Sequence, residues 1–327
     1  MPHVYILSPD NNNASGGIKI LYRHADVLNA NGISASIIHQ TPGFRCSWFK
    51  NNTRVTYLHD TKIGADDFLV IPEIFGPRMQ DISALPQVSP QAKFVIFNQN
   101  CRYTFLGQNI ESVLSADLSM PYSDPNRYIA TMVVSQDSVD YIRSVFPQQK
   151  VYRIHNAINV DTFTYQKAER TQICFMPRKH MEDALQVFGI LNIRGALDNV
   201  NVVAIENMNE GQVAEIMKQS MFFLSFGYPE GCPLPPAEAM ASGCMVIGYN
   251  GFGGQEYFKP EFSYPIPVGD ITGFADCVET QLALAQTNPE EIYHKSRSAS
   301  DYVRRVYSAE QEKDDILACW NELISPE

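Results

Sequence analysis

Short apolar runs alternate with segments of helical periodicity along the first half of the chain. Two such runs, HVYILSP (3–9) and ISASIIH (33–39), flank a segment at 18–30 whose apolar residues fall on one helical face. Further apolar runs lie at 68–73, 93–99, 131–136 and 151–158. Because strands that alternate with amphipathic helices are typical of a parallel sheet covered on both faces, the pattern predicts an α/β domain.

The same rhythm starts again after a polar stretch at 159–172. Helical segments there separate apolar runs at 173–178, 200–207, 222–226 and 245–249. From about 270 the chain is predicted to be helical, and Ser308 with Gln311 matches a capping box at the start of the last helix. We therefore predict α/β domains at 1–160 and 171–305 and a terminal helix at 306–327.

Composition and charge narrow the class of protein. Apolar residues make up 45% and charged residues 19%, as in an ordinary globular chain. The formal net charge is -11, and the second half of the chain accounts for it. Residues 1–155 carry 13 Lys and Arg and 12 Asp and Glu, whereas residues 156–327 carry 12 Lys and Arg and 24 Asp and Glu. Such an acidic surface without a basic cluster argues against nucleic acid as a partner. The neutral first half allows at most a peripheral contact with a membrane.

The cysteine pattern and the apolar runs bear on location and cofactors. The seven cysteines include no CxxC pair, which favours reduced thiols and a cytoplasmic protein. No signal peptide is evident at the N-terminus, and no apolar run reaches the roughly 18 residues that a membrane span needs. The chain has no HxxxH motif and no His and Cys cluster, so we predict no metal site built by the protein.

The stretch YPEGCPLPPAEAMASGC (228–244) carries the strongest chemical signal. Glu230 and Glu238 stand with seven residues between them, in a strand, loop, helix and strand pattern. Pro236 suits the first turn of a helix and Gly243 the left-handed position after its end, which predicts a helix at about 236–242. The N-terminus of such a helix attracts a diphosphate, while carboxylates beside it bind sugar hydroxyls. The stretch therefore indicates a nucleotide-sugar site.

This stretch resembles the E-x7-E signature of family-4 retaining glycosyltransferases of the GT-B fold. GGQE (253–256) is similar to the GG-x-E sequence that follows the signature in that family. The resemblance implies two Rossmann-like domains with a cleft between them and a C-terminal helix that crosses back.

The resemblance also implies roles for the residues of the signature. Glu230 contacts the donor sugar and Glu238 holds the nucleotide ribose. Backbone amides of Gly231, Cys232 and Leu234 bind sugar or phosphate. The chain departs from the family at Cys232 and Pro233, where the family commonly has an aromatic residue and glycine, and Pro233 has no N–H.

Two further motifs supply groups for a diphosphate. Arg178 and Lys179 lie at the end of the run 173–178, where preorganised cations stabilise a departing phosphate without a metal. The resemblance implies the family's Arg and Lys pair, although there the lysine follows five residues after the arginine. Gly16 and Gly17 lie between the first strand and the first helix, where glycines let the backbone approach phosphate. The motif is not GxGxxG, and no acid ends the second strand, so a dinucleotide cofactor is not expected.

Candidates for the acceptor side lie at the ends of first-domain strands. Glu73 and Asn98 lie at the ends of apolar runs and Asn100 follows one, and strand ends are where residues of a cleft come from. His155 lies in VYRIHNAINVDTF, which is similar to the linker between the domains in the family.

The resemblance implies transfer of a sugar, with retention, from a nucleoside-diphosphate sugar to a hydroxyl of a saccharide or lipid-linked saccharide. In this reading Arg178, Lys179 and Glu230 are catalytic, no metal or other cofactor takes part, and bacterial surface-polysaccharide assembly is the setting. Two alternatives stay open at this point. One is a nucleotide-sugar epimerase of related fold, which uses no acceptor, and the other is a non-catalytic nucleotide-sugar-binding subunit.

Overall fold

The computed structural model describes residues 2–169 and 171–325. The predicted segments 1–160 and 306–327 include three residues outside these ranges, namely Met1, Pro326 and Glu327. The chain divides between Ile154 and His155, and again between Gln311 and Glu312, into two compact units. We call residues 155–311 the second unit and the remainder the first unit.

The first unit is built on a parallel sheet. Among its described residues, seven strands pair in the order β3-β2-β1-β4-β5-β6-β7. The strands are β1 (Val4–Leu7), β2 (Ala35–His39), β3 (Val55–Tyr57), β4 (Phe68–Pro72), β5 (Lys93–Asn98), β6 (Tyr128–Val133) and β7 (Val151–Arg153). The helices between them are α1 (Gly16–Ala30), α2 (Arg78–Ser83), α3 (Ile110–Leu114) and α4 (Gln136–Val145). Strand β4 is buried along its whole length, as its continuous apolar sequence predicts. Strand β2 is also buried throughout, although it contains Ser36 and His39.

The second unit repeats this construction on a smaller scale. Its described residues form a five-stranded parallel sheet in the order β12-β11-β10-β8-β9. The strands are β8 (Gln172–Phe175), β9 (Asn201–Ala204), β10 (Phe222–Ser225), β11 (Met245–Gly248) and β12 (Tyr264–Pro265). The helices are α5 (Met181–Ile193), α6 (Glu210–Gln219), α7 (Leu234–Ser242), α8 (Ile271–Thr287) and α9 (Pro289–Val306).

The last helix, α10 (Ala309–Ile324), belongs to the first unit from Glu312 onward. Its N-terminus is capped as the sequence predicts, because the Ser308 hydroxyl accepts a hydrogen bond from the Gln311 N–H at 3.1 Å. Trp320 is fully buried, donates from Nε1 to Nε2 of His24 at 2.7 Å and meets the ring of Phe68 edge-on. Burial lowers the pKa of His24 to about 3, so this histidine is neutral and serves as a hydrogen-bond acceptor inside the core.

The structure differs from the sequence pattern in a few places. Strands β3 and β12 were not predicted, because runs of three and two residues are too short to show a period. Helix α7 begins at Leu234, two residues before the predicted start, since prolines are tolerated throughout a first helical turn. The unit boundary falls at Ile154 and not after 160, and the backbone bond from Ile158 N–H to Tyr307 O shows why residue 158 belongs to the second unit. Within the described residues, no helix is both long and apolar enough to span a bilayer.

Candidate functional site

Strand order explains which loops meet in the second unit. Strand β10 lies between β8 and β11, so the loops that follow these three strands emerge side by side at one edge of the sheet. Arg178 and Lys179 follow β8, Glu230 follows β10, and the GGQE sequence follows β11. Three segments that are far apart in the sequence therefore form one site.

The loop that contains Glu230 is fixed to the loop after β11 by main-chain contacts. The Glu230 N–H donates to Gly251 O at 2.8 Å, and the Gly253 N–H donates to Glu230 O at 3.1 Å. A Cβ atom at Gly253 would collide with the backbone of Gly231, so this position requires glycine. The second glycine motif thus holds the acidic loop in place by close backbone approach.

Three of the predicted catalytic side chains line one pocket. Its lining includes Arg178, Lys179, Glu230, Pro235 and Pro236. Lys179 Nζ forms an ion pair with Glu230 Oε1, with the two side chains 33% and 23% exposed. Arg178 is exposed. The pocket therefore presents a cationic edge and a carboxylate that is already paired.

An aromatic pair joins the basic and acidic loops next to this pocket. The rings of His180 and Tyr228 stack with centroids 3.9 Å apart and an interplanar angle of 9°. His180 Nε2 also makes a hydrogen bond of 2.7 Å to Tyr228 O. His180 has a φ of 50°, a left-handed conformation that is uncommon for residues other than glycine. Sequence reasoning missed this pair, and neither residue carries a local signal that would have revealed it.

The start of helix α7 offers fewer backbone donors than an ordinary helix end. Pro235 and Pro236 occupy its first turn after Pro233, so only Leu234 and Ala237 of its first four residues carry an N–H. Pro233 O accepts a hydrogen bond from the buried hydroxyl of Tyr257. In the first turn of this helix, the backbone donors for the predicted anion site are therefore the N–H groups of Leu234 and Ala237. The carbonyl of Pro233, next to them, already accepts a hydrogen bond.

The other predicted donor residues lie beside this helix start. Gly231 is buried, and Cys232 is partly buried in the loop before the helix. Glu238 is partly buried on α7 and is not part of the lining of the pocket that contains Glu230, as far as the described residues show. The two acids of the signature therefore have different surroundings.

Glu256 and His155 meet a common residue of the second unit. The Tyr307 hydroxyl donates to the Glu256 carboxylate, and the Tyr302 hydroxyl donates to Glu256 O at 3.2 Å. The rings of His155 and Tyr307 meet edge-on with centroids 5.8 Å apart. Glu256 of the GGQE sequence is thereby tied to the end of α9, and His155 lies at the segment where the chain enters the second unit.

In the first unit, Gly16 and Gly17 form the first residues of α1. Gln99 Nε2 donates to Gly17 O at 3.2 Å, and a Cβ added at Gly17 would lie 3.2 Å from Gln99 Oε1. Gly17 therefore allows a close approach by the Gln99 side chain. Gln99 belongs to the FNQN sequence but was not singled out as a site residue.

Glu73 lies in a 3₁₀ turn (Glu73–Phe75) after β4 and is only 4% exposed. Burial raises the pKa of Glu73 to about 7, although the backbone N–H groups of Gln99, Glu73 and Asn100 oppose the shift. Its Oε2 atom makes no hydrogen bond within the part of the chain that the structure describes. Strands β4 and β5 are neighbours, which brings Glu73 next to the 99–100 segment.

The two predicted asparagines of this edge bind other parts of the protein. Asn98 is fully buried, and its Nδ2 donates to Tyr122 OH at 2.8 Å and to Thr104 Oγ1 at 3.2 Å. Asn100 Oδ1 accepts from the Arg102 N–H at 3.1 Å and caps a short turn. These contacts give both side chains a place in the local structure of the first unit.

Within the described ranges, 2–169 and 171–325, no group of three or more His, Cys, Asp or Glu side chains is arranged to hold a metal ion. The expectation of a reaction without metal or other cofactor stays a prediction.

Comparison with known proteins gives matches at the levels of sequence and fold. Residues 189–297 match the family model described as glycosyl transferases group 1. The chain is 27% identical over 248 residues to the alpha-1,6-glucosyltransferase of Actinobacillus pleuropneumoniae serotype 7 (strain AP76), in an alignment that covers 74% of this chain and 71% of the relative.

Solved structures extend the similarity to the whole chain. Sucrose-phosphate synthase from Thermosynechococcus elongatus matches with a TM-score of 0.74 and 12% identity, covering 100% of both chains. Anabaena HepE, solved in complex with UDP, matches with a TM-score of 0.71 and 10% identity, covering 98% of this chain and 100% of that one. At such low identity these two matches establish the fold.

Proposed function

We propose that this chain, which is a glycosyltransferase with the GT-B fold, moves a sugar from a nucleoside-diphosphate sugar to an acceptor hydroxyl with retention of configuration. The observation that carries the proposal is the pocket in which Arg178, Lys179 and Glu230 meet beside the first turn of α7. Cations and helix amides suit a diphosphate, and a carboxylate suits sugar hydroxyls.

Groups of the pocket and of the adjoining helix α7 have separate roles in this proposal. Arg178 is exposed and faces the diphosphate, and the Leu234 amide at the start of α7 donates to the same phosphates. Glu230 orients the donor sugar through its hydroxyls. Glu238, on α7 itself, holds the ribose of the nucleotide.

The reaction follows from these roles. The bond between the anomeric carbon and the phosphate oxygen breaks, and a bond to the acceptor oxygen forms on the same face of the sugar. The proton of the acceptor hydroxyl passes to the departing phosphate oxygen, so no separate general base is required. Arg178 stabilises the charge that builds on the leaving group, and preorganised protein cations do this without a metal.

Substrates are proposed from chemistry and from the names of similar proteins. The relative named as an alpha-1,6-glucosyltransferase makes glucose the first donor sugar to test, and the HepE complex makes UDP the first nucleotide. We assign the acceptor to the class of saccharides or lipid-linked saccharides, and the setting to bacterial surface-polysaccharide assembly in the cytoplasm. The acceptor-side role of Glu73, Asn98, Asn100 and His155 stays a prediction, and their contacts favour support of the site over direct binding.

A thermal-shift panel tests the donor site. UDP, GDP, dTDP, ADP and CMP are added to wild type and to Glu238→Ala, each with Mg²⁺ or with EDTA. One diphosphate should stabilise wild type in both conditions, by roughly 2.7 kcal/mol at a hundredfold excess over Kd, and should fail with the variant. Glu182→Ala, which removes an exposed acid from the first turn of α5, is the matched control and should respond like wild type. Stabilisation by none of the nucleotides would contradict the proposal.

The stereochemical part needs a product analysis. An α-linked donor sugar should give an α-linked product, which proton NMR of the anomeric signal reports directly. A β-linked product would contradict retention and leave transferase activity intact. Conversion of the donor to another nucleotide sugar without any acceptor would indicate the epimerase alternative.

A further inference from the structure

The ion pair between Lys179 and Glu230 joins two groups that the proposed donor requires. The lysine comes from the loop after β8 and the glutamate from the loop after β10, and both side chains are mostly shielded from solvent. Arg178, next to Lys179, is exposed and has no ion pair among the described residues. The two adjacent cations are therefore in different states: Arg178 is available to an anion, and Lys179 already has a carboxylate partner.

Several contacts hold this pair in place. Gly227 lies beneath it, because a Cβ at this position would be 3.4 Å from Glu230 Oε1 and 3.8 Å from Lys179 Cδ. Gly251 approaches the other side of the glutamate, where its Cβ would lie 3.0 Å from Glu230 Cβ. The stack of His180 on Tyr228 keeps the two parent loops together. The pair is thus a built feature of the pocket and not a chance encounter of two flexible side chains.

The free-energy cost of breaking this ion pair differs between a free diphosphate and an intact nucleotide sugar. A free diphosphate attracts the Lys179 ammonium but offers no donor to Glu230, so it leaves a shielded carboxylate without its cation and close to another anion. An intact nucleotide sugar takes the lysine with its phosphates and supplies hydroxyl donors to the glutamate. Both charges are then compensated at once.

We propose that the Lys179–Glu230 pair makes this pocket select an intact nucleoside-diphosphate sugar over the free nucleoside diphosphate. The inference rests on the proposed function and adds a specificity role for the pair. It assigns Lys179 to discrimination between substrate and product, and leaves Arg178 as the cation that serves both. A transferase gains from this device, because the diphosphate product dissociates more readily after transfer.

The test is a double-mutant cycle read by calorimetric titration. The probes are UDP, GDP, dTDP and ADP and the glucose ester of each. The diphosphate that binds wild type, together with its glucose ester, is then titrated into every variant. Glu230→Gln should bind the free diphosphate about fivefold more tightly, because Lys179 is released, and should bind the glucose ester more weakly. In a Lys179→Met background the same glutamate substitution should change diphosphate affinity by less than about twofold.

Two control variants separate the pair from general charge effects. Glu182→Gln removes one negative charge from an exposed position near the same loop and should leave the ratio of the two affinities unchanged. Lys218→Met removes the lysine of the Lys218–Glu215 pair on α6 and should also leave the ratio unchanged. Thermal denaturation of every variant checks that the protein is folded.

The outcomes distinguish this inference from the function on which it rests. If none of the four diphosphates or esters binds wild type, the proposed function fails and the inference fails with it. If the diphosphate binds but Glu230→Gln does not tighten it, the selection role is overturned and the transferase proposal stands. Glu230→Gln is also compared in the wild-type and Lys179→Met backgrounds. If it raises the affinity for the free diphosphate equally in both, the selection role is also overturned, because removal of a negative charge alone would then explain the increase.

Discussion

The two units place their candidate residues at the same topological position, the carboxyl ends of neighbouring parallel strands. They differ in how far the charged side chains at that position are exposed to solvent. In the second unit Arg178 is exposed, and the Lys179 and Glu230 side chains keep 33% and 23% of their surface in solvent. In the first unit Glu73 is 4% exposed, and burial raises its pKa to about 7. A strand end therefore does not by itself make a charged site. An exposed group such as Arg178 is accessible to a ligand, whereas burial favours the neutral form of the Glu73 carboxyl.

The largest expected effect comes from Arg178, which represents the exposed and charged side of this comparison. Arg178→Ala should lower kcat by about 10²–10³, since it removes a preorganised cation from the leaving group. The melting temperature should stay close to that of wild type, because an exposed side chain contributes little packing. Arg194→Ala is the control, as this exposed arginine pairs with Asp276 and Glu279 on α8 and should leave turnover unchanged. Parallel losses of turnover and stability would contradict the role.

Glu73 represents the buried side, and its effect should appear in stability. Its folded pKa of about 7 lies above the ordinary 4.5, so the stabilising contribution of the protonated carboxyl is full below about pH 4.5 and is lost as pH rises through 7. Glu73→Gln should match wild type near pH 4.5 and exceed its free energy of unfolding by about 3 kcal/mol at pH 9. Urea denaturation across this range measures the difference.

An exposed acid of the same unit is the control for this pH series. Glu111→Gln on α3 makes the same substitution at an exposed position and is measured over the same pH range. If Glu73→Gln loses stability at high pH, then Glu73 is ionised and paired, and the contrast between the two units disappears.

The His180 and Tyr228 stack should have an intermediate effect. His180→Asn retains a residue that tolerates a left-handed conformation but removes the ring, and an aromatic pair contributes about 1 kcal/mol. We expect the KM for the donor to rise about fivefold, because the basic and acidic loops are no longer held together. Tyr228→Phe is the matched control, since the ring and the backbone acceptor both remain. An unchanged donor KM in His180→Asn would show that the loops are positioned without the stack.

The smallest effect is expected at Asn100, which caps a turn in the first unit. Asn100→Ala should cost about 1 kcal/mol of stability and leave donor affinity within about twofold of wild type. Asn109→Ala removes a similar cap from α3, where Asn109 Oδ1 accepts from the Ser112 N–H at 2.8 Å, and serves as the comparison. If acceptor KM rises in Asn100→Ala and not in Asn109→Ala, Asn100 contacts the acceptor directly.

Much of the architecture was accessible from the sequence. The α/β pattern and the two-domain GT-B fold are confirmed, and the Ser308 cap and the left-handed Gly243 lie where the residue types predict them. These features depend on local preferences and on hydrophobic periods, which a single sequence displays. The signature around Glu230 and Glu238 also lies within the range matched by the glycosyltransferase family model.

The arrangement inside the pocket was not accessible in the same way. Lys179 meets Glu230 because β8 and β10 are adjacent in the sheet, and strand order is not written in any local pattern. The stack of His180 on Tyr228 depends on two loop conformations at once. Asn98 and Glu73 were identified as strand-end residues, but their burial follows from packing against Tyr122 and the 99–100 segment. Residue type and position could thus be predicted, whereas pairing and exposure required the fold.

The position of Trp320 against His24 also has a consequence for biosynthesis. The first unit takes one piece from residues up to 154 and another from residue 312 onward, so the ribosome makes the whole second unit between them. At the usual speed of translation, synthesis of the second unit takes roughly 10–30 s. During this time Trp320 has not yet been made, so His24 and Phe68 of the nascent chain lack their packing partner. The first unit is therefore started first and completed last.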